Sequence, residues 1–582
     1  MTKKIEKLAI VDNLCSVVFK SLPIVYLIFL IVGFVVYSQA LKGQFLWDDA
    51  YQIIYTPDTY SLGNLFHLFT KGQLGIFYKP GFFAYLTIIH SLFGLNQFVF
   101  HFFQILIHVT NAFLVFLLLR KILNRQISFI LSLVFIVHPM NVEAIAYISA
   151  AGDPLSFLFG LLAFHIMSRS RVGIFGLLGA SGFMLFSLLS KESGIVILFL
   201  VIVYRYLFIK KSAFASILFA ASSSSFYFFL RFYVAKTMFV KLDFIPIALA
   251  TPWERFISIP KILFTYFSTF LVPFKLYVAQ HWVVRTISLT DFFLPLLFII
   301  VLISAIITII FHFKSKSNEK FVKSLFFLIW IAFSTGLYLQ IVPIDMTVAE
   351  RWFYLPMIGV LGLIGLIIKD VPIRSHKEKV LACVMAVVII AALAGRTIVR
   401  SRDWTSAYVL FGHDIQIAED SFDIEMNYSY QLVKKGKYDE ALPHAIKATR
   451  LAPKFTATWA TLGSAYLRRA DYFMAISSYK KSLQIDTTNY AAFYGLIHAY
   501  ILLNDINSAR YICEKAMYLY PKGPHLLLFR AIIEYESHHE KQALNFAKQS
   551  YNSYPTHLGR YLYMNLVRKQ SIKSYRDYIQ YN

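Results

Sequence analysis

Charge is scarce in this chain of 582 residues: Asp, Glu, Lys and Arg make up 15%, against 58% hydrophobic and 17% aromatic letters. A soluble domain carries roughly 25% charged and about 45–50% apolar residues, so a purely soluble protein is excluded. Cysteine is scarcer still. Cys15, Cys383 and Cys513 form no Cys-x-x-Cys pair, which removes a disulfide framework and a zinc motif. Gly 25 and Pro 18 are too few for a collagen-like chain, and Phe 56 is too many for a disordered one. Acids are outnumbered, 32 against 56 Lys and Arg, for a net charge of +24. In a membrane protein, anionic headgroups account for such a surplus, and nucleic acid is a poor second choice of partner.

The acids are unevenly placed, 17 up to Asp403 and 15 from Asp414 onward, although the second stretch is less than half as long. This divides the chain into an all-helical membrane part over 1–400, a linker over 401–421 and a polar module over 422–582. Hydrocarbon about 30 Å thick needs roughly 20 apolar residues per helix. Stretches that meet or approach this lie near 22–39, 98–119, 127–139, 152–168, 172–189, 194–209, 213–232, 292–313, 322–343, 353–368 and 380–398, giving about eleven spans. Two more, 80–95 and 256–274, read as interfacial or re-entrant. The leader with Lys3, Lys4, Lys7 and Lys20 has no convincing small-residue cleavage site, which favours a retained anchor.

Short basic loops mark the cytoplasmic side. Arg120, Lys121 and Arg125 form one, Arg169 and Arg171 a second, Lys210 and Lys211 a third; Lys314 to Lys323 and Lys369 to Lys379 complete the set. With the N-terminus inside, loops 40–97, 140–151, 233–291 and 343–352 lie outside, as does everything after about Arg400.

The polar module repeats every 34 residues. Ala441, Ala475, Ala509 and Ala543 fall in register, as do Pro453, Thr487, Pro521 and Pro555. The second unit is fullest, with Trp459, Leu462, Gly463, Tyr466, Ala475 and Tyr479. This resembles the tetratricopeptide repeat (TPR), a helix pair whose stacked copies build a groove for protein segments. Four units and a capping helix near 560–578 are expected, with Cys513 as plain core.

Ionisable residues beside spans are expensive and are functional candidates by default. Here they gather on the outer side: Asp48 and Asp49; Tyr78 and Lys79; His138 and Glu143; Asp153; Lys191 and Glu192; His281; Glu350 and Arg351. A solvated turn, a local ion pair or a helix cap would account for each alone. Together they fit one shared site in which cations neutralise a lipid-borne phosphate and a carboxylate handles a proton.

The order Trp47-Asp48-Asp49, Tyr78-Lys79-Pro80, His138-Pro139 with Glu143, Ser190-Lys191-Glu192, Ala349-Glu350-Arg351 with Tyr354-Leu355-Pro356, then TPRs, resembles the transmembrane and TPR-containing O-mannosyltransferases and their bacterial relatives. These are GT-C glycosyltransferases. The resemblance implies a polyprenyl-phosphate-linked sugar as donor, mannose in the animal relatives, and a protein or other hydroxyl acceptor held by the TPR groove. It puts the catalytic carboxylate on Asp49 or Asp48, phosphate contacts on Lys191 and Arg351, and orienting roles on Glu143, Glu192 and Glu350. One carboxylate as base inverts the anomeric centre. Two adjacent acids leave a divalent metal, Mg or Mn, open. No secretory or retention motif fixes the compartment; a bacterial inner membrane with the site facing the periplasm is preferred, the endoplasmic reticulum lumen being the alternative. Lys79 stands where the motif often has Arg. Tyr147-Ile148-Ser149-Ala150-Ala151-Gly152-Asp153 lacks the arginine of the bacterial Trp-Ile-Ser-x-Arg-x-Asp. An inactive anchor presenting a TPR scaffold to envelope proteins is the competing reading.

Overall fold

The computed structural model of the chain describes residues 21–56, 59–73, 77–210, 213–238, 243–372, 374–521, 523–553 and 556–568. The basic leader lies outside them. Among the described residues the regular elements are helical, apart from the isolated bridges Gln73 to Phe77 and Gln280 to Val348. The chain divides into two compact units, with the boundary between Ile417 and Ala418 and the short segment Asp243–Leu249 grouped with the repeats.

In the first unit every stretch expected as a span is a helix: Leu22–Val36, Gln97–Leu119, Arg125–Val137, Gly152–Met167, Ile174–Ser190, Gly194–Tyr204, Ala213–Phe228, Leu294–Lys316, Asn318–Gly336, Pro356–Asp370 and His376–Asp403. The two extra stretches are helical too, Pro80–Phe93 and Pro252–Leu271. By length and apolarity alone, 5 helices among the described residues can cross a membrane, or 6 if the bent pair Arg125–Val137 and Pro139–Ala146 is one span. The expected eleven are therefore not all full-length spans; several are apolar helices of 10–17 residues. The 401–421 linker is not free chain either. The last membrane helix runs on to Asp403, and Ala407–Asp414 forms another helix in the same unit.

Over their most apolar 18 residues, the Gln97–Leu119 helix is 61% buried and the Ile148–Met167 stretch 67%, whereas His376–Asp403 is 6% buried. The first two are thus surrounded by protein and can carry polar groups. Gln97–Leu119 does so on one face, at His101, Gln104, His108 and Asn111, all fully buried. Their 3-4-3 spacing is one helix stripe. Gln104 and Asn111 serve a break in the fold. Pro139 has no N–H to give and disfavours helical backbone at His138, which is extended, so the chain bends by 52°. The short turns that follow, Pro139–Asn141, Val142–Ala146 and Ile148–Ala150, leave carbonyls outside regular helix. Gln104 Nε2 donates to the carbonyls of Ala144 and Tyr147, both at 2.7 Å, and Asn111 Nδ2 to that of Pro154 at 2.8 Å. Irregular backbone at membrane depth survives only with such partners.

In the second unit the helix pairs are Phe422–Lys434 with Tyr438–Leu451, Thr456–Arg468 with Tyr472–Ile485, Tyr490–Leu502 with Ile506–Leu519, and Pro524–Glu536 with Glu540–Ser553. A ninth helix, His557–Val567, follows; the expected cap continues beyond Arg568, outside the described residues. The turn inside each pair uses one left-handed residue in register: Gly436, Ala470, Asn504 and His538, at φ 75°, 64°, 66° and 60°. Three of the four are not glycine, so packing overrides a cost of about 1–2 kcal/mol each. Gly463 and Gly495 are required by closeness. A Cβ on either would come within 2.7 or 2.1 Å of the Tyr479 ring, which wedges between two first helices. Cys513 is fully buried core.

Candidate functional site

Two buried ion pairs meet at the break. Asp153 stands in the first turn of Gly152–Met167, and Lys191 follows the last turn of Ile174–Ser190; Lys191 Nζ lies 2.5 Å from Asp153 Oδ1 and 2.6 Å from Oδ2. Glu143, on the short Val142–Ala146 turn, binds Arg351 twice, through Nη1 to Oε1 and through the backbone N to Oε2 at 2.9 Å. Arg351 Nε is also 4.0 Å from Asp153 Oδ2, so the two pairs form one cluster. Burial pulls the Lys191 amine down from its ordinary range, with Asp153 opposing. Burial acts in the same sense on Arg351, but Glu143, Asp345 and Asp153 outweigh it and hold the guanidinium charged. A small cleft opens here, lined by Asp153, Ser156, Ser193, Tyr338, Arg351 and Trp352. Trp352 and Tyr338 stack at 5.0 Å and 8°, an aromatic wall beside the charges.

The Asp48-Asp49 loop joins this cluster through Tyr147 and Ser149. Trp47 is held at φ 50°, an unusual left-handed position for a bulky residue, and stacks on Tyr147 at 5.4 Å. Tyr147 OH donates to Asp48 Oδ2 at 2.9 Å. Asp49 is 1% exposed and its oxygens are taken: Oδ1 by Ser149 N at 2.8 Å and Oγ at 2.5 Å, Oδ2 by Leu46 N at 2.9 Å. Burial pushes the Asp49 carboxyl up to about 7, against those hydrogen bonds. Asp48 is the part-exposed member of the pair. Burial first, then Asp48 and Asp49, raise the Tyr147 phenol far above its usual range, while Arg351 pulls the other way.

Lys79 and Glu192 lie at the same cluster. Lys79 is the strongest charge acting on Glu192 and also acts on Lys191; its Nζ sits 4.8 Å above the Phe77 ring. Burial would raise Glu192, but Lys79 and Arg231 outweigh it and keep the carboxyl below its usual range. Arg231 Nη1 donates to Glu192 Oε1 at 2.8 Å and to Tyr227 OH at 2.7 Å.

The structure thus brings Asp48, Asp49, Lys79, Glu143, Asp153, Lys191, Glu192 and Arg351 into one charged network. The other four expected residues are buried outside these pairs. Tyr78 is buried, its OH donating to the Phe69 carbonyl at 3.0 Å. His138 spends Nδ1 on Met140 N and Nε2 on the Phe270 carbonyl, at 3.3 and 3.0 Å, so it caps the break. His281 is buried between Gln280 and Trp282, whose carbonyls accept from Thr347 N and Oγ1. Glu350 is buried with neither oxygen hydrogen-bonded; burial raises its carboxyl, and Arg400 is the strongest charge opposing this.

Sequence reading meets Tyr147 and Ser149 only as letters of the Tyr147–Asp153 motif, with no role assigned, and misses Arg231 and a second buried knot. Arg400 Nη1 and Nη2 reach Asp414 Oδ1 and Oδ2 at 2.6 and 3.1 Å, and Asp414 Oδ2 also takes Val278 N at 2.9 Å. This pairing is why the supposed linker folds back. Lone basic letters inside apolar runs, Arg231 and Arg400, were the available signal. As for a metal, Asp48 and Asp49 turn to different protein donors, and among the described residues no three His, Cys, Asp or Glu converge on an ion-sized site. The described residues do not form a ready metal site.

No family model matches the chain. It is 25% identical over 460 residues to Protein O-mannosyl-transferase F38B6.6 of Caenorhabditis elegans, covering 74% of this chain and 63% of that one. It is 23% identical over 491 residues to Protein O-mannosyl-transferase TMTC3 of Homo sapiens, covering 75% and 52%. Human Protein O-mannosyl-transferase TMTC1 is 31% identical over 194 residues, covering 29% and 22%. The chain therefore spans about half to two thirds of the relatives it matches most extensively. Among solved structures, TTC0263, a thermophilic TPR protein of Thermus thermophilus, matches at 16% identity and TM-score 0.26, over 32% of this chain and 96% of that one. MamA matches at 14% and TM-score 0.23, over 25% and 85%. By fold and relatives the chain resembles the TPR-containing membrane O-mannosyltransferases.

Proposed function

We propose that the chain is a GT-C glycosyltransferase whose eleven apolar helices all lie within the membrane. It moves a sugar, mannose by analogy with the relatives' names, from polyprenyl phosphate to a protein hydroxyl on the non-cytosolic face. A bacterial inner membrane is the setting we favour. One arrangement carries the reading. Lys191 and Arg351 are each set by a buried carboxylate beside the Trp352–Tyr338 wall, and the part-exposed Asp48 binds Tyr147, on whose phenol the charge of Arg351 also acts.

In this reading Lys191 and Arg351 take the donor phosphate, Asp153 and Glu143 having kept them oriented and charged beforehand. Such preorganised cations stabilise charge where it develops. Asp48 accepts the acceptor hydroxyl's proton as its oxygen attacks the anomeric carbon. The bond from that carbon to the phosphate oxygen breaks, its electron pair leaves with the phosphate, and the configuration inverts. Asp49 is the loop anchor because its oxygens are already occupied. Incubating the purified chain with labelled polyprenyl-phosphate mannose and a Ser/Thr-bearing protein tests this: transfer is expected, and its loss in Lys191→Met and Asp48→Asn. Ala151, in place of the bacterial arginine, favours the scaffold reading; absence of transfer with any lipid-linked sugar would overturn the enzyme reading in its favour.

A further inference from the structure

The repeats offer a specific binding strip. The first helices of successive pairs lie side by side, the Tyr494 ring meeting His525 at 5.4 Å and Phe529 at 4.9 Å on the next one. Reading one register position at a time, Met426, Ala460 and Tyr494 correspond, as do Tyr430, Ser464 and His498, and Lys434, Arg468 and Leu502. The second repeat therefore supplies small, part-exposed residues, Ala460 and Ser464, where its neighbours carry the larger Met426, Tyr430, Tyr494 and His498. Tyr430 is 44% exposed on one side and Tyr494 36% on the other. His498 is 4% exposed, and its Nε2 has no hydrogen-bond partner. Along one edge run two cations in register. Lys434 lies over the Tyr430 ring at 4.6 Å, and among the described residues no carboxylate pairs with it. The charge of Arg468 acts on Tyr479, Tyr494 and His498.

We propose that this strip binds an extended protein segment bearing carboxylates beside an aromatic residue. The small floor lets a peptide backbone come close. Tyr430 and Tyr494 give rigid amphipathic walls that lose little entropy on binding. A peptide polar group that reached His498 Nε2 would satisfy a buried atom that has no partner. Lys434 and Arg468, one repeat apart, select negative charge. This deepens the acceptor-recruiting reading above and rests on it for its purpose, but binding is measurable without turnover.

The test uses the full chain in nanodiscs and a fluorescein-labelled Ser/Thr-rich peptide with Glu residues flanking one Trp, against a twin with Lys for Glu. Anisotropy should show the acidic peptide bound and its twin not, with binding weakened by added salt. Arg468→Glu and Tyr494→Ala should each weaken it about tenfold, and Ala460→Trp should block it. Lys515→Glu, on a second helix, should change nothing. Thermal melts of each variant identify any that unfold, and Arg468→Gln then stands in with a smaller loss. Equal binding of both peptides, or an unaffected Arg468→Glu, overturns the proposal even if sugar transfer proceeds. Selective binding without any transfer upholds it and defeats the enzyme reading alone.

Discussion

Breaking the Glu143–Arg351 pair should separate stability from activity. Their side chains are 0% and 10% exposed, so removing one leaves a buried charge without its main partner. Such truncations cost about 3–5 kcal/mol. Here Asp153 and Asp345 remain within 4.0 Å of Arg351, which places Glu143→Gln nearer the lower figure, about 3 kcal/mol. Arg351→Met strands Glu143 instead, at a similar cost. The double variant removes both charges, and the glutamine carbonyl can still accept the backbone N–H of residue 351. Its net loss should be within about 1 kcal/mol, a coupling of several kcal/mol between the sites. Chemical unfolding of the full chain in detergent, with sugar transfer measured on the same preparations, checks this. All three variants should be inactive, because the phosphate contact is lost or misplaced in each. Additive stability losses would show that the pair is not a unit. Recovery of transfer in the double variant would show that Arg351 does not touch the donor.

Asp48→Asn should abolish transfer while donor binding survives, a barrier increase of about 3–5 kcal/mol. Asp49→Asn should instead lower stability, and the opposite result would swap their roles. With Asp49 near 7 when folded and near 3.8 unfolded, the folded state holds more protons between those values, so stability from this group falls as pH rises through about 4 to 7. Unfolding midpoints at pH 5 and pH 8 should show this slope, and Asp49→Asn should remove it. Lys191→Met should raise KM for the donor as well as lower kcat, since phosphate is present in both ground and transition states; a pure kcat effect would count against phosphate contact. Asp414→Asn should loosen the Arg400 knot and lower the melting temperature, and donor KM should not change unless the Glu350-Arg351 turn moves with it.

What the letters revealed follows how far each signal reaches along the chain. The helices were legible because apolarity is a local sum, and a run such as Leu294–Lys316 needs no partner to identify itself. The repeat was legible because Ala441, Ala475, Ala509 and Ala543 state the same local packing four times. Span lengths were not, because helix ends here depend on breaks such as His138-Pro139, held by Gln104 and Asn111 from another helix. The site was half legible. Grouping charges by side found the members but not the partners: Lys191 pairs with Asp153, not with the adjacent Glu192, which turns to Arg231. Glu350 and Arg351 are neighbours in sequence yet face different networks, since a short 3-10 turn sends successive side chains in different directions. Adjacency therefore misled twice in the same way. The Asp48-Asp49 pair obeys the same rule, one residue to Tyr147 and the other to Ser149 and Leu46. Two carboxylates next to each other in the chain are here one candidate base and one structural anchor, and only the donors around them tell the two apart.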